Sequence, residues 1–120
     1  MEYDIFNNFL NLRRLGDYSI NVNDNQLIFY KGEYKSATID WNKVEKIYFT
    51  REKGLFVYFI YLGFTYYNNE KSDISFYEEW DGFEKLNEFI IKNFSIDPEW
   101  LGKAKTELLE NDNKVLWTLR

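Results

Sequence analysis

The 120-residue chain contains no histidine and no cysteine. Those side chains most often ionise near neutral pH, attack substrates or hold transition metals, so any chemistry here would rest on carboxylates, Lys, Tyr or Ser/Thr. Glycine is sparse and scattered, at positions 16, 32, 54, 63, 82 and 102, which leaves no glycine-rich loop to cradle a phosphate. The most apolar stretch, Leu55 to Leu62, is far too short to cross a membrane. The start is not a secretory signal either: Glu2 and Asp4 come first, then Arg13 and Arg14, with no continuous apolar segment. These absences, with the lack of cysteine, lead us to expect a cytoplasmic protein.

Aromatic side chains are abundant, with 11 Phe, 10 Tyr and 4 Trp. A chain of this length forms one core without disulfides or metals. Each fully buried Phe or Leu contributes about 1.5–3 kcal/mol, so stability does not require every ring inside. The surplus Tyr and Trp are available for a contact surface, where rigid amphipathic rings are favoured.

The formal net charge is −5, and its source is local. Residues 70–88 carry Glu70, Asp73, Glu78, Glu79, Asp81, Glu84 and Glu88 against Lys71 and Lys85, while acids and bases balance elsewhere. A field negative over one region disfavours a polyanion and favours a basic protein partner. Tyr30-Lys31, Tyr34-Lys35 and Lys46-Ile47-Tyr48 interleave aromatic and basic residues as a base-stacking surface would. Glu33 and Glu45 dilute the pattern, and nucleic acid is not an expected partner. For any one carboxylate the plain reading is a solvated strand edge or helix face.

Periodicity supplies the organisation. Ile5, Phe9 and Leu12 at i, i+4, i+7 before Gly16 predict a short N-terminal helix over 1–16. Alternation then predicts antiparallel strands over 18–80, with turns at Asn23-Asp24-Asn25, Lys31-Gly32, Asn42-Lys43 and Asn68-Asn69. Leu55 to Leu62 has no polar face and reads as the central strand, covered on both sides or leaving an aromatic patch. Two helices are expected over 81–110. The first opens with a capping box at Asp81 and Glu84 and carries the stripe Phe83, Leu86, Phe89, Ile90 and Phe94. The second has Asp97 as N-cap and Pro98 in its first turn, with Trp100, Leu101, Ala104 and Leu108 inward. A terminal strand follows over 114–120. The class is α+β, one domain with an antiparallel, curled or barrel-like sheet crossed by a C-terminal helix.

Three stretches, Ile39-Asp40-Trp41-Asn42-Lys43-Val44-Glu45-Lys46-Ile47, Glu79-Trp80-Asp81-Gly82-Phe83 and the tail from Trp100 to Trp117, occur in an order that resembles small bacterial proteins with a pleckstrin-homology-like (PH-like) fold. Some of these are uncharacterised and some are of the toxin-immunity type. Phe83 stands where that group has Trp, and the chain opens with an expected helix rather than a strand. The resemblance implies a PH-like fold and a protein that neutralises a cognate toxin.

Catalytic and metal constellations fare poorly. Adjacent Glu78 and Glu79 would face opposite sides of a strand, so both cannot flank one glycosidic bond. Asn21, Asn23 and Asn25 resemble a calcium loop, but its twelfth position is Gly32 and its sixth is Gln26. We therefore expect a non-catalytic protein-binding module with no cofactor and no metal, recognising a basic partner, which the resemblance implies to be a toxin domain, through Tyr66, Tyr67, Glu70, Asp73, Tyr77, Glu78 and Glu79. One alternative is a PH-like lipid or phosphopeptide module, which the Asn-Asp-Asn first turn disfavours because headgroup capture needs Lys or Arg. A second is a small carboxylate-dependent enzyme built around Tyr61, Tyr66 and Glu70. The sequence leaves the oligomeric state open, and membrane association is not expected.

Overall fold

The structure, a computed structural model, describes residues 18–107, 109 and 111–119, so the helix expected over 1–16 lies outside the described residues. Strands β1 (Tyr18–Val22), β2 (Gln26–Lys31) and β3 (Tyr34–Asp40) form a three-stranded antiparallel sheet in that order. Asn23 makes the first turn: its Oδ1 accepts the backbone N–H groups of Asn25 and Gln26 at 2.8 and 2.9 Å. This is the Asx geometry for which Asn is favoured in turns.

Strands β4 (Val44–Lys53), β5 (Tyr58–Asn68), β6 (Glu70–Tyr77) and β7 (Asn113–Thr118) form a second antiparallel sheet in the order β6-β5-β4-β7. The described residues thus hold two sheets rather than one continuous curled sheet. The break falls at a single 3-10 turn, Trp41–Lys43. Trp41 secures this corner, donating its indole N–H to the Asn23 carbonyl at 2.8 Å and stacking on Phe89 with centroids 4.6 Å apart.

Helix α1 (Phe83–Phe94) follows β6, and the short helix α2 (Trp100–Thr106) follows α1. The core lies between the sheets and these helices. Ile20, Leu27, Phe29 and Ile39 come from the first sheet, and Ile47, Phe49, Ile60, Leu62, Phe64 and Phe76 from the second. Phe83, Leu86 and Ile90 of α1 and Trp100 and Ala104 of α2 close it, all buried as the helical stripe predicts. Trp80 stacks on Tyr18 and Phe29 with centroids 4.7 and 5.3 Å away, joining the approach to α1 to the first sheet.

Three local expectations are corrected. Leu55–Val57 is not strand: β5 begins at Tyr58, and the three residues form an exposed turn between β4 and β5. The Asp81/Glu84 capping box does not form, because α1 starts after Gly82 at φ +92° with no side-chain cap. There β1 presses against the chain: Ile20 N–H donates to Asp81 O at 2.8 Å, and a Cβ on Gly82 would stand 2.0 Å from Ile20 O. The second helix begins at Trp100, and Asp97 instead accepts Glu99 N–H in a tight turn before it.

Candidate functional site

The β4–β5 hairpin presents the most exposed apolar side chains of the described fold. Lys53 pairs with Tyr58, and Gly54 N–H donates to Val57 O at 2.8 Å, leaving Leu55 and Phe56 at the tip. Leu55 is 93% exposed, Phe56 95% and Val57 61%. The tip residues Leu55, Phe56 and Val57 form one side of a cleft of about 490 Å³, lined also by Tyr58, Phe59, Glu78, Glu79 and Lys105.

Two of its walls are tied together by Glu78. Its carboxylate meets Lys105 Nζ of α2 at 2.7 Å and accepts Ile60 N–H at 3.3 Å, and its backbone N–H donates to Ile60 O at 3.1 Å. The side chain is 10% exposed, so this is a structural clasp between β5, the end of β6 and α2. Glu79 is exposed and accepts the Tyr77 hydroxyl at 3.2 Å. Tyr77 is buried, its ring 5.2 Å from Tyr61 and 6.2 Å from Phe59.

A buried cation supports the hairpin from below. Arg51 Nη1 donates to the carbonyls of Ala104 at 2.9 Å and Glu107 at 2.8 Å, satisfying acceptors at the end of α2. Its Nε meets Asp112 Oδ1 at 3.3 Å, and its guanidinium lies 4.0 Å from the Tyr58 ring centroid. Burial of Arg51 is tolerable because its Nε and Nη1 donors are engaged and its charge has a partner.

The candidate residues from the sequence do not form one surface. Tyr77, Glu78 and Glu79 gather at the end of β6 beside the cleft. Tyr67, Glu70 and Asp73 lie toward the other end of the β5–β6 ladder, where Asn68 pairs with Glu70. Along β6 the usual strand rise puts Glu70 about 23 Å and Asp73 about 13 Å from Tyr77. Tyr66 packs against the core and Tyr67 is exposed. Asp73 accepts the Thr65 hydroxyl, and Glu88 lies on α1 near Asp24, Lys85 and Lys92. The acidic surplus of 70–88 is therefore distributed, and Glu78 is neutralised by Lys105. Tyr61 and Tyr66 are an odd number of residues apart on β5 and fall on opposite faces, so the Tyr61, Tyr66, Glu70 grouping does not converge.

Tyr48 crosses the outer side of the second sheet. Burial holds its phenol above the ordinary range, Asp73 adds to that, and a hydrogen bond with Ser75 acts the other way. Lys46 lies 5.1 Å from the Tyr48 centroid, and Lys71 pairs with Glu45 at 3.7 Å. These contacts satisfy one another within the sheet surface. Among the described residues no group of three or more carboxylates converges as a metal site would, and no helix is long and apolar enough to cross a membrane.

The sequence reading missed Leu55, Phe56 and Val57 as surface residues. One signal was present: Gly54 is the only turn-forming residue between the alternating segment ending near Arg51 and the apolar run. No family model matches the chain, and no curated protein or solved structure matches it either.

Proposed function

We propose that the chain is a non-catalytic protein-binding module, of the PH-like toxin-neutralising kind that its sequence resembles, and that it engages its partner at the β4–β5 hairpin and the adjoining cleft. One observation carries the reading: three consecutive apolar side chains stand exposed beside a cleft that already contains Glu79. Contiguous exposed apolar surface is unfavourable for an isolated chain and marks interaction sites. Aromatic and apolar anchors surrounded by polar groups are the arrangement in which a few residues supply most binding energy. The two antiparallel sheets and the helices behind them suit a rigid scaffold for such a loop.

The two other readings receive less support. The charged residues lining the cleft beside the tip, Glu78 and Glu79 with Lys53 and Lys105, balance in sign, so they make no basic collar for an anionic headgroup. The tyrosine and carboxylate grouping suggested for an enzyme is split across both faces of β5.

The test is site-specific photo-crosslinking with the reactive side chain at position 56, and at Tyr34 as control, followed by reconstitution with the purified captured protein. A saturable complex that weakens with Phe56→Ser and Glu79→Lys is expected. A complex indifferent to both variants, or cross-linking at Tyr34 and not at position 56, rejects this surface.

A further inference from the structure

We propose that the groove between β7 and the α1–α2 connection binds an extended, uncharged segment of a partner protein. The segment adds to the second sheet as a fifth strand and seats one large apolar side chain over Phe49 and Trp100. This surface shares no lining residue with the hairpin cleft.

Two cavities lie side by side along the outer edge of β7. One, of about 520 Å³, is bounded by Phe94 and Ser95 at the end of α1 and by Trp117 and Thr118. The other, of about 250 Å³, lies between Ile96 and Asp97, Trp100 and Ala104 of α2, and Lys114. Val115 and Leu116 line both, so the cavities adjoin as one groove from Lys114 to Thr118, roughly 13 Å at the usual strand rise.

The edge supplies the backbone chemistry. β7 is the last strand of its sheet and pairs only with β4. Arg51 N–H donates to Asp112 O and Leu119 N–H to Glu45 O, both at 2.8 Å. In an antiparallel ladder such pairs alternate with residues whose N–H and C=O face away. Lys114 opposite Phe49 and Trp117 opposite Ile47 continue the bonded set, so Val115, opposite Tyr48, and Thr118, opposite Lys46, turn theirs away from β4. No backbone group among the described residues pairs with them there. The bulge at Leu116 leaves Leu116 and Trp117 packed on the core, and Val115 to Thr118 include neither charge nor proline, the usual guards of an edge strand. Extended backbone is what such an edge accepts.

The cavity at the Lys114 end sets the side chain. Phe49 and Trp100 are buried rings stacked with centroids 5.7 Å apart. The Trp100 indole N–H is engaged by Asn87 Oδ1 at 2.7 Å, and Lys103 and Asp97 at the rim close on each other at 2.8 Å. An uncharged, apolar occupant follows. A space of about 150 Å³ holds a benzene ring, whereas free ligands usually occupy about 300–1,000 Å³. The cavity of about 250 Å³ therefore suits a single Leu-, Met- or Phe-sized side chain carried by a peptide backbone.

The far wall selects a slender occupant over a second copy of the chain. Residues 93–97 stand across the groove from β7, and a second copy would bring its own such wall into the same space. A single segment needs only about 4.8 Å beside the edge strand.

The probe is a random heptapeptide library displayed on phage and panned against the full chain. Enriched peptides are expected to carry one large apolar residue within a stretch of β-formers free of charge and proline. The best peptide, titrated into the isotope-labelled chain, should saturably shift the amides of residues 93–97 and 113–118. N-methylation of alternate peptide amides should weaken binding about tenfold or more in one set and little in the other, because only one set faces β7. Val115→Pro removes a groove-side donor and should weaken the same peptide, with the amide spectrum reporting that the fold is kept. No enrichment, a charged or proline-rich consensus, shifts centred elsewhere, or equal effects of the two N-methylated sets would overturn the inference. So would slow exchange of the Val115 and Thr118 amides in the free monomer, since the chain would then cover this edge itself. Self-association that shifts residues 113–118 would also overturn it, making a second copy the occupant. Shifts confined to residues 54–58 would reject the groove while supporting the hairpin, and failure of the cross-linking test at position 56 leaves these readouts untouched.

Discussion

Tyr48 lies flat over Gly63: a Cβ on Gly63 would stand 2.3 Å from Cζ of the Tyr48 ring. The two are paired across β4 and β5, and the ring covers the gap the glycine leaves. A glycine inside a strand ordinarily weakens it, and here a cross-strand aromatic fills the space a side chain would have occupied. Gly63→Ala must therefore displace the ring, at a cost of about 1–3 kcal/mol by the usual overpacking penalty. In a Tyr48→Ala background the same change should cost little or be favourable. Denaturant unfolding of the four proteins checks this; additive effects would show that the two positions are not coupled.

Tyr48 also predicts a pH dependence. Its folded-state pKa is raised above the ordinary 10.0, chiefly by burial and then by the Asp73 carboxylate. The stability linked to this phenol is complete below the unfolded value and is lost as pH rises through the folded value. Tyr48→Phe should flatten the decline in stability above pH 10, and Asp73→Asn should lower the Tyr48 titration measured by NMR. Identical alkaline profiles for Tyr48→Phe and the parent would remove the link.

Gly82 combines two constraints that can be separated. Its φ of +92° disfavours any side chain, and a Cβ there meets the Ile20 carbonyl. Gly82→Ala should lose at least about 1–3 kcal/mol from backbone strain alone, with the clash adding to it. Asn tolerates left-handed backbone better than Ala but carries the same Cβ. Thermal unfolding of both variants decides the matter: if Asn restores stability fully, the close approach of β1 is not limiting.

Arg51→Lys should destabilise the fold although charge is kept. A single ammonium cannot reproduce the fork that reaches Ala104 O, Glu107 O and Asp112 together. Each buried carbonyl left unpaired costs about 1–3 kcal/mol. Unfolding measurements, with amide exchange over residues 104–112, provide the check. Unchanged stability and unchanged protection would mean that Arg51 does not hold this end of α2.

Much of the architecture was legible in the residues. Ile20/Val22, Leu27/Phe29, Ala37/Ile39 and Ile74/Phe76 alternate, and strands stand at each place. Phe83, Leu86 and Ile90 repeat at helical spacing and all point into the core. The candidate site was less legible. Glu78 and Glu79 do line a cleft, but Tyr67, Glu70 and Asp73 do not join them, because sequence proximity becomes distance along an extended strand. Leu55–Val57 was read as strand because a continuous apolar run has no period to show where a turn interrupts it.

The sequence by itself determined the element types and the buried set, because strand and helix periods sort side chains to one face using only local chain geometry. It also determined which chemistries had no side chains to run on. Tertiary structure alone decided that Lys105 reaches Glu78 across α2 and β6, that Arg51 closes the end of a helix more than fifty residues away, and that Leu55 and Phe56 stand outside the core. Those outcomes depend on how separate elements dock. Docking is set by the summed burial of the whole core, and no short stretch of residues encodes it.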